Sequence, residues 1–224
     1  MILPWPTAST KSMQQKSSEV YFLEAIVLDI DGTLIESMAI DSDLYFSSIF
    51  AVLGPVEIRE NLNDYDHVTD IGIIAQVMED NALPLDSDAI VSIRNRFVAG
   101  LTARIKIDGP FPEIPGAARF IDRLRDSKEH DVAIATGGWR LSALLKLETS
   151  ELNVKGIPVF SCDDSPSRTE IMRIALSQLG NVYESVTYFG DAEWDRRACE
   201  ILGWEFVPVG AGLGGIETYD NYAV

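Results

Sequence analysis

Short apolar runs rich in β-branched residues recur along the chain, and most of them end at a polar or acidic residue. They predict five buried strands, at about 21–28, 131–136, 156–161, 185–189 and 206–209. Between the later runs, apolar residues recur at helical spacing, as in 117–126 and 193–202. Because strands that alternate with helices form parallel sheets, this pattern predicts an α/β fold with a doubly wound parallel sheet.

One long segment departs from this alternation. Between 37 and 110, apolar residues follow helical spacing in successive stretches, and no strand-like run interrupts them. Helices inserted directly after the first strand of an α/β core suggest a separate cap. We therefore predict a core domain made of 18–36 and 111–224, an all-helical cap domain of 37–110, and an N-terminal extension of 1–17.

The net charge of the chain excludes some classes of binding partner. Acidic residues outnumber basic ones 35 to 18, which gives the 224-residue chain a formal charge of −17. Such a field repels nucleic acid and anionic membranes, so we expect neither as a partner. It also repels anionic substrates, so a phosphate site would need a local cation, for which a divalent metal is the obvious choice. Cys162 and Cys199 follow no disulfide or metal-binding spacing and no signal peptide is evident, so we expect a cytoplasmic location.

Polar residues follow the predicted strands where a site would need them. Asp29 and Asp31 follow the first strand, Thr136 ends the second, and Asp191 follows the fourth. An acidic turn and Arg168 follow the third. Because the carboxyl ends of parallel strands lie along one edge of a sheet, these side chains are predicted to converge.

The first strand end carries a resemblance to a known family. The run Asp29-Ile30-Asp31-Gly32-Thr33-Leu34 resembles the first motif of the haloacid dehalogenase-like (HAD) phosphohydrolase superfamily. The segment ending in Thr136 is similar to the second motif, and Gly190-Asp191 followed by Asp195 is similar to the fourth. A calcium-binding EF-hand is excluded, since its third acidic or amide ligand and its final glutamate are absent. The resemblance implies a Rossmann-like core with a cap.

The third motif departs from the family, which commonly has a lysine before the fourth strand. No lysine follows Lys155 in this sequence. Arg168, at the predicted start of a helix with a Ser167-to-Glu170 capping-box pattern, is our first choice for that role. Lys146 and Lys155 remain alternatives.

The resemblance also implies roles for the remaining residues. Mg²⁺ would be held by Asp29, the backbone carbonyl of Asp31, and Asp191. Asp29 would be the nucleophile that forms an aspartyl-phosphate, and Asp31 the general acid and then base.

The phosphoryl group and the metal-bound water would have their own partners. Thr136 and nearby backbone N–H groups, including that of Gly137, would hold the phosphoryl group. Asp195 either orients a metal-bound water or favours its own helix N-terminus, and the sequence leaves both readings open.

The implied activity is Mg²⁺-dependent hydrolysis of a small phosphorylated metabolite, as in capped phosphatases that resemble phosphoglycolate phosphatase. A sugar phosphomutase remains an alternative because it keeps both aspartates of the first motif. A non-catalytic phosphate- or metabolite-binding protein on the same scaffold is a third possibility. The identity of the substrate and the oligomeric state are not predicted.

Overall fold

A computed structural model describes residues 23–222. The predicted N-terminal extension (1–17), the first residues assigned to the core domain, and the start of the predicted first strand therefore lie outside the described residues.

The core is a parallel sheet built around the first strand. The strands of the described chain are β1 (Glu24–Leu28), β2 (His130–Ala135), β3 (Val159–Phe160), β4 (Ser185–Gly190) and β5 (Glu205–Pro208). They form one sheet in the order β3-β2-β1-β4-β5, with all neighbours parallel. The apolar run of β1 lies at its centre, where residues 25–28 are almost completely buried. The predicted fold class is confirmed.

Helices surround this sheet and also fill the segment between β1 and β2. They are α1 (Met38–Leu53), α2 (Asp70–Asp80), α3 (Ser87–Asp108), α4 (Ala117–Asp126), α5 (Arg140–Thr149), α6 (Arg168–Leu179) and α7 (Glu193–Leu202). The helical insert, residues 37–110, contains α1, a short 3-10 helix at Leu62–Asp64, α2 and α3, and contributes no strand to the described sheet. Its division from the core as a separate domain stays a prediction. No helix within 23–222 combines the length and apolar character that a membrane span requires.

Aromatic packing joins the insert to the core. Tyr45 of α1, Phe97 of α3 and Trp139, just before α5, are buried with ring centroids 5.8–6.0 Å apart. The start of α2 is also attached to the core, since the Asp70 amide donates to the Gly137 carbonyl at 2.9 Å. Large apolar side chains and backbone hydrogen bonds together hold the insert over one end of the sheet.

Two local predictions were wrong. The third strand is much shorter than predicted, because it is an edge strand beside Pro158, which has no amide hydrogen for a ladder. The capping box at the start of α6 does not form either. The Ser167 hydroxyl lies 3.0 Å from the Thr169 hydroxyl, and Glu170 pairs with Arg173 on the same helix.

Candidate active site

The carboxyl ends of β1, β2 and β4 meet beneath the helical insert. The chain adds β2 and β3 on one side of β1 and β4 and β5 on the other, so the direction in which strands are added reverses beside β1. This switch point is where open α/β sheets bind ligands. A small cavity of about 90 Å³ lies there, lined by Asp29, Asp31, Thr136, Gly137 and Asp191 among others.

Asp29 is a buried carboxylate with two different partners. Its Oδ1 accepts a hydrogen bond from the Ile30 amide at 2.8 Å, and its Oδ2 lies 3.3 Å from Nη1 of Arg168. Burial raises the pKa of Asp29, and the Arg168 charge opposes that rise. The side chain is thus held in one orientation with a cation beside it.

Gly32 lets the carboxylate of Asp191 lie close to that of Asp29. Its φ is +73°, which favours glycine, and a Cβ at this position would collide with the Asp191 carboxylate. Carboxylate oxygens of Asp29, Asp191 and Asp195 lie within 4.8 Å of one another. Burial, followed by the charge of Asp29, raises the pKa of Asp191 to about 8. Crowded carboxylates of this kind are relieved by a bound cation, and their oxygens are the donors that Mg²⁺ prefers.

Arg168 connects more groups than any lysine could. Its Nη1 lies 2.7 Å from Oδ1 of Asp195 and 3.3 Å from both Asp29 and the Tyr188 hydroxyl, while its Nη2 donates to the Val68 carbonyl at 3.1 Å. Burial acts to lower the pKa of Arg168, but the negative charges of Asp195 and Asp29 and the hydrogen bond to the Tyr188 hydroxyl raise it overall. Its buried Nε has no hydrogen-bond partner among the described residues. We call Arg168, Asp29 and Asp195 the arginine centre.

The main partner of Asp195 is Arg168. The residue is completely buried, its Oδ1 pairs with the guanidinium, and its Oδ2 accepts a bond from the Ala192 amide at 3.3 Å. Burial raises its pKa to about 7, and Arg168 acts in the opposite direction. Both oxygens are therefore already engaged, so the geometry favours a role in holding Arg168 and the start of α7.

Thr136 and Gly137 form the wall of the cavity beside β2. Thr136 is 3% exposed, and its hydroxyl accepts a bond from the Gly138 amide at 3.3 Å. A Cβ on Gly137 would collide with the guanidinium of Arg168, so a larger residue here would displace that group. Within the described residues the Gly137 amide has no acceptor, which leaves this N–H available to a ligand.

A second buried cation lies on the other side of the cavity. The Lys146 ammonium is 2.5 Å from Oδ1 of Asp31 and 2.7 Å from Oδ1 of Asp41, and its side chain is 1% exposed. The Ser37 hydroxyl also donates to Oδ1 of Asp31, which leaves Oδ2 of Asp31 without a partner among the described residues. The two carboxylates raise the pKa of Lys146 although burial opposes this. We call Lys146, Asp31 and Asp41 the lysine centre.

The sequence predicts Lys146 only as an alternative to Arg168, whereas the structure pairs it with Asp31 and Asp41. A signal for its burial was present, because Lys146 follows Ser142 and Ala143 and precedes Leu147 on the buried face of α5. Lys155 lines a different cavity with His130, near the amino end of the sheet, and does not reach the site.

Two carboxylates of the insert, Asp41 and Asp70, were not anticipated either. Asp70 receives a hydrogen bond from the Trp139 amide at 2.9 Å, and burial raises its pKa well above the ordinary value. Burial also raises the pKa of Asp41, to about 6. Both line the cavity from the insert side.

A family model of haloacid dehalogenase-like hydrolases matches residues 23–203, which is most of the chain. No curated protein sequence matches it.

Solved structures share the architecture. A hydrolase from Pseudomonas syringae aligns with a TM-score of 0.67 at 17% identity, covering 89% of this chain and 87% of that one. CbbY from Rhodobacter sphaeroides, solved with phosphate, aligns with a TM-score of 0.65 at 21% identity over 89% and 90% of the two chains. A haloacid dehalogenase-like protein from Streptococcus pneumoniae aligns with a TM-score of 0.55 at 20% identity over 86% and 87%. At these identities the likeness concerns the fold.

Proposed function

We propose that this chain, which belongs to the family of haloacid dehalogenase-like hydrolases, is a Mg²⁺-dependent phosphatase that hydrolyses a small phosphate monoester through an aspartyl-phosphate on Asp29. One observation carries this proposal. At the switch point of the sheet, a buried Asp29 faces Asp191 across Gly32 while a guanidinium lies 3.3 Å from the same Asp29. A nucleophilic carboxylate beside a cation and a crowded pair of oxygen donors is what phosphoryl transfer to an aspartate requires.

The donor set fits a Mg²⁺ ion. Asp29, Asp191 and the backbone carbonyl of Asp31 would hold it, because these oxygens are hard donors and Asp191 has no ion-pair partner among the described residues. When bound, Mg²⁺ would offset the negative charge of the phosphate and of the carboxylates around it.

The residues of the chain perform the chemistry in two steps. In the first, an oxygen of Asp29 attacks phosphorus, the phosphorus–oxygen ester bond breaks, and the leaving alcohol takes a proton from Asp31. In the second, water attacks the phosphorus of the aspartyl-phosphate, Asp31 accepts a proton from that water, and inorganic phosphate leaves Asp29. Thr136 and the Gly137 amide would hold the phosphoryl oxygens during both steps.

Asp31 is oriented for such a role. Its Oδ1 is anchored by Lys146 and Ser37, so Oδ2 is the oxygen left to exchange a proton with the alcohol or the water. We further propose that the helical insert acts as a cap domain over this edge. The hydrogen bonds from Asp70 and Arg168 between insert and core support that assignment.

The direct test is hydrolysis of p-nitrophenyl phosphate by the purified chain, with Mg²⁺ and then with excess EDTA. We expect turnover that is lost with EDTA, restored by Mg²⁺, and absent in Asp29→Asn. Asp43→Asn is the matched control, since Asp43 is exposed on α1 outside the cavity. A chain that binds phosphate without hydrolysing any ester would instead be a binding protein on this scaffold.

A further inference from the structure

The side of the cavity that faces away from the phosphoryl group is built by the helical insert. The insert residues that line it are Met38, Asp41, Val68, Thr69, Asp70 and Ile73. This set combines apolar side chains, one hydroxyl and two acidic groups, and it contains no lysine, arginine or histidine. The leaving group of a substrate would therefore meet carboxyl groups and hydrocarbon.

The two cations that reach the cavity carboxylates within the described residues are already committed. Lys146 is buried between Asp31 and Asp41, with its ammonium within 2.7 Å of both. Arg168 is divided among Asp29, Asp195 and a backbone carbonyl. Neither cation can turn toward an anionic leaving group without leaving a buried carboxylate unpaired, which is strongly unfavourable.

The acidic groups of the insert supply no positive charge in either protonation state. Asp70 is a neutral acid or a carboxylate, and Asp41 is a carboxylate paired with Lys146. A carboxylate or second phosphate on the leaving group would thus be placed beside these carboxyl groups in a small cavity. Like charges brought together in this way weaken binding.

Other basic residues lie near the site but in a separate cavity. His67 and Arg197 line a cavity that shares Val68, Arg168 and Trp194 with the first. The hydrogen bond from Arg168 to the Val68 carbonyl, 3.1 Å long, lies at the boundary between the two. His67 and Arg197 do not line the first cavity, so neither is placed against a leaving group there in this arrangement.

From this distribution of charge we propose that the substrate is the phosphate monoester of a small alcohol without anionic groups, either neutral or amine-bearing. The inference rests on the proposed phosphatase function and narrows it. It makes phosphoglycolate a poor substrate, although the family resemblance of the sequence implies an activity like that of phosphoglycolate phosphatase.

The test uses three esters with similar two-carbon leaving groups and different charge. They are O-phosphoethanolamine, ethyl phosphate and 2-phosphoglycolate, whose leaving groups are cationic, neutral and anionic. Both kcat/KM and the inhibition constant against p-nitrophenyl phosphate are measured with Mg²⁺ present. Inhibition is needed because the three alcohols differ in intrinsic leaving-group ability, and binding does not depend on that property.

We expect 2-phosphoglycolate to bind at least about tenfold more weakly than the other two esters. Equal or tighter binding of 2-phosphoglycolate, with p-nitrophenyl phosphate still hydrolysed, would overturn this inference and leave the phosphatase proposal standing. No hydrolysis of any ester, including p-nitrophenyl phosphate, would overturn the phosphatase proposal itself and the inference with it.

Variants then test whether the insert sets the preference. Asp41→Asn removes a negative charge and frees part of Lys146, so it should raise the affinity for 2-phosphoglycolate relative to ethyl phosphate. Asp43→Asn, two residues along the same helix and exposed, should leave that ratio unchanged. If Arg197→Ala selectively weakens 2-phosphoglycolate binding, the two cavities join during binding and the inference is wrong.

Discussion

The arginine centre and the lysine centre use the same arrangement, a buried cation between two aspartates, and differ in what they connect. Arg168 of α6 joins Asp29 after β1 to Asp195 of α7, so its carboxylates all belong to the core. Lys146 of α5 joins Asp31 to Asp41 of α1, so its carboxylates belong to the core and to the helical insert.

The difference follows from the chemistry of the two cations. A guanidinium has separate nitrogens in a rigid fork, so Arg168 contacts two carboxylates, a hydroxyl and a carbonyl at once. An ammonium is a compact charge, and Lys146 holds two carboxylate oxygens at close range. The fork suits a position where a phosphate must also be contacted, whereas the point charge suits one where a single oxygen must be anchored.

Asp29 and Asp31 are two residues apart and yet have different cations. We therefore predict that mutation can separate the roles of Asp29 and Asp31. Replacing Arg168 should change mainly what Asp29 does, and replacing Lys146 mainly what Asp31 does.

The largest expected effects are the losses of phosphatase activity on mutation of the two aspartates, and these losses should differ. Asp29→Asn should reduce phosphatase activity to background, a loss of more than about 10⁴-fold, because no aspartyl-phosphate can form. Asp31→Asn should slow turnover by roughly 10²–10⁴-fold, with a smaller loss for p-nitrophenyl phosphate than for alkyl phosphates. Steady-state kinetics and trapping of the phosphoenzyme measure both. Equal losses for good and poor leaving groups would remove support for proton donation by Asp31.

Stability measurements distinguish the two cations. Lys146→Met should lower the free energy of unfolding by about 3–5 kcal/mol, since it leaves two buried carboxylates unpaired. Arg168→Met should also destabilise the fold, but Mg²⁺ should stabilise this variant more than it stabilises the wild type, because the ion would bind an Asp29 that has lost its cation.

Urea unfolding with and without Mg²⁺ provides the readout. Lys128→Met is the control, since this lysine is exposed and its loss should change stability by less than about 0.5 kcal/mol. If Mg²⁺ stabilises Lys146→Met as much as Arg168→Met, and both more than the wild type, the two centres are not independent.

Kinetics of Arg168 variants address the third motif. Arg168→Ala should lower kcat/KM by roughly ten- to a hundredfold, the effect of losing a charge-assisted contact of about 1.5–3 kcal/mol. Arg168→Lys should recover part of the activity, because the charge returns without the fork. Arg173→Ala, on the exposed face of the same helix, is the matched control. A near-normal Arg168→Ala beside an inactive Lys155→Ala or Lys146→Ala would place the phosphate-binding cation elsewhere.

The smallest effect concerns the metal alone. Mg²⁺ at about a hundred times its dissociation constant should raise the Tm by roughly 5–10 °C. Asp191→Asn should abolish that rise and slightly increase the Tm without metal, since it removes one of two crowded carboxylates. Differential scanning calorimetry measures both, and an unchanged Mg²⁺ response in this variant would remove Asp191 from the metal site.

Much of this architecture could be predicted from local pattern. The α/β class, the helical character of 37–110 and the position of Asp29, Asp31 and Asp191 at strand ends are properties of consecutive residues. Parallel strands bring their carboxyl ends to one edge, so these side chains were expected to converge before any contact was known.

The short third strand and the absent capping box at Ser167 were not predictable in this way. Edge pairing and hydroxyl orientation depend on neighbours that the local pattern does not specify.

The sequence by itself thus determined which elements form and which strand ends carry acidic groups, because apolar periodicity and strand direction are local. Only the tertiary structure decided which cation serves which carboxylate. Lys146 meets Asp31 across 115 positions of chain, and Arg168 meets Asp29 across 139. Such pairings depend on which face of a helix is turned to the cavity, and helix packing rather than sequence spacing decides that orientation.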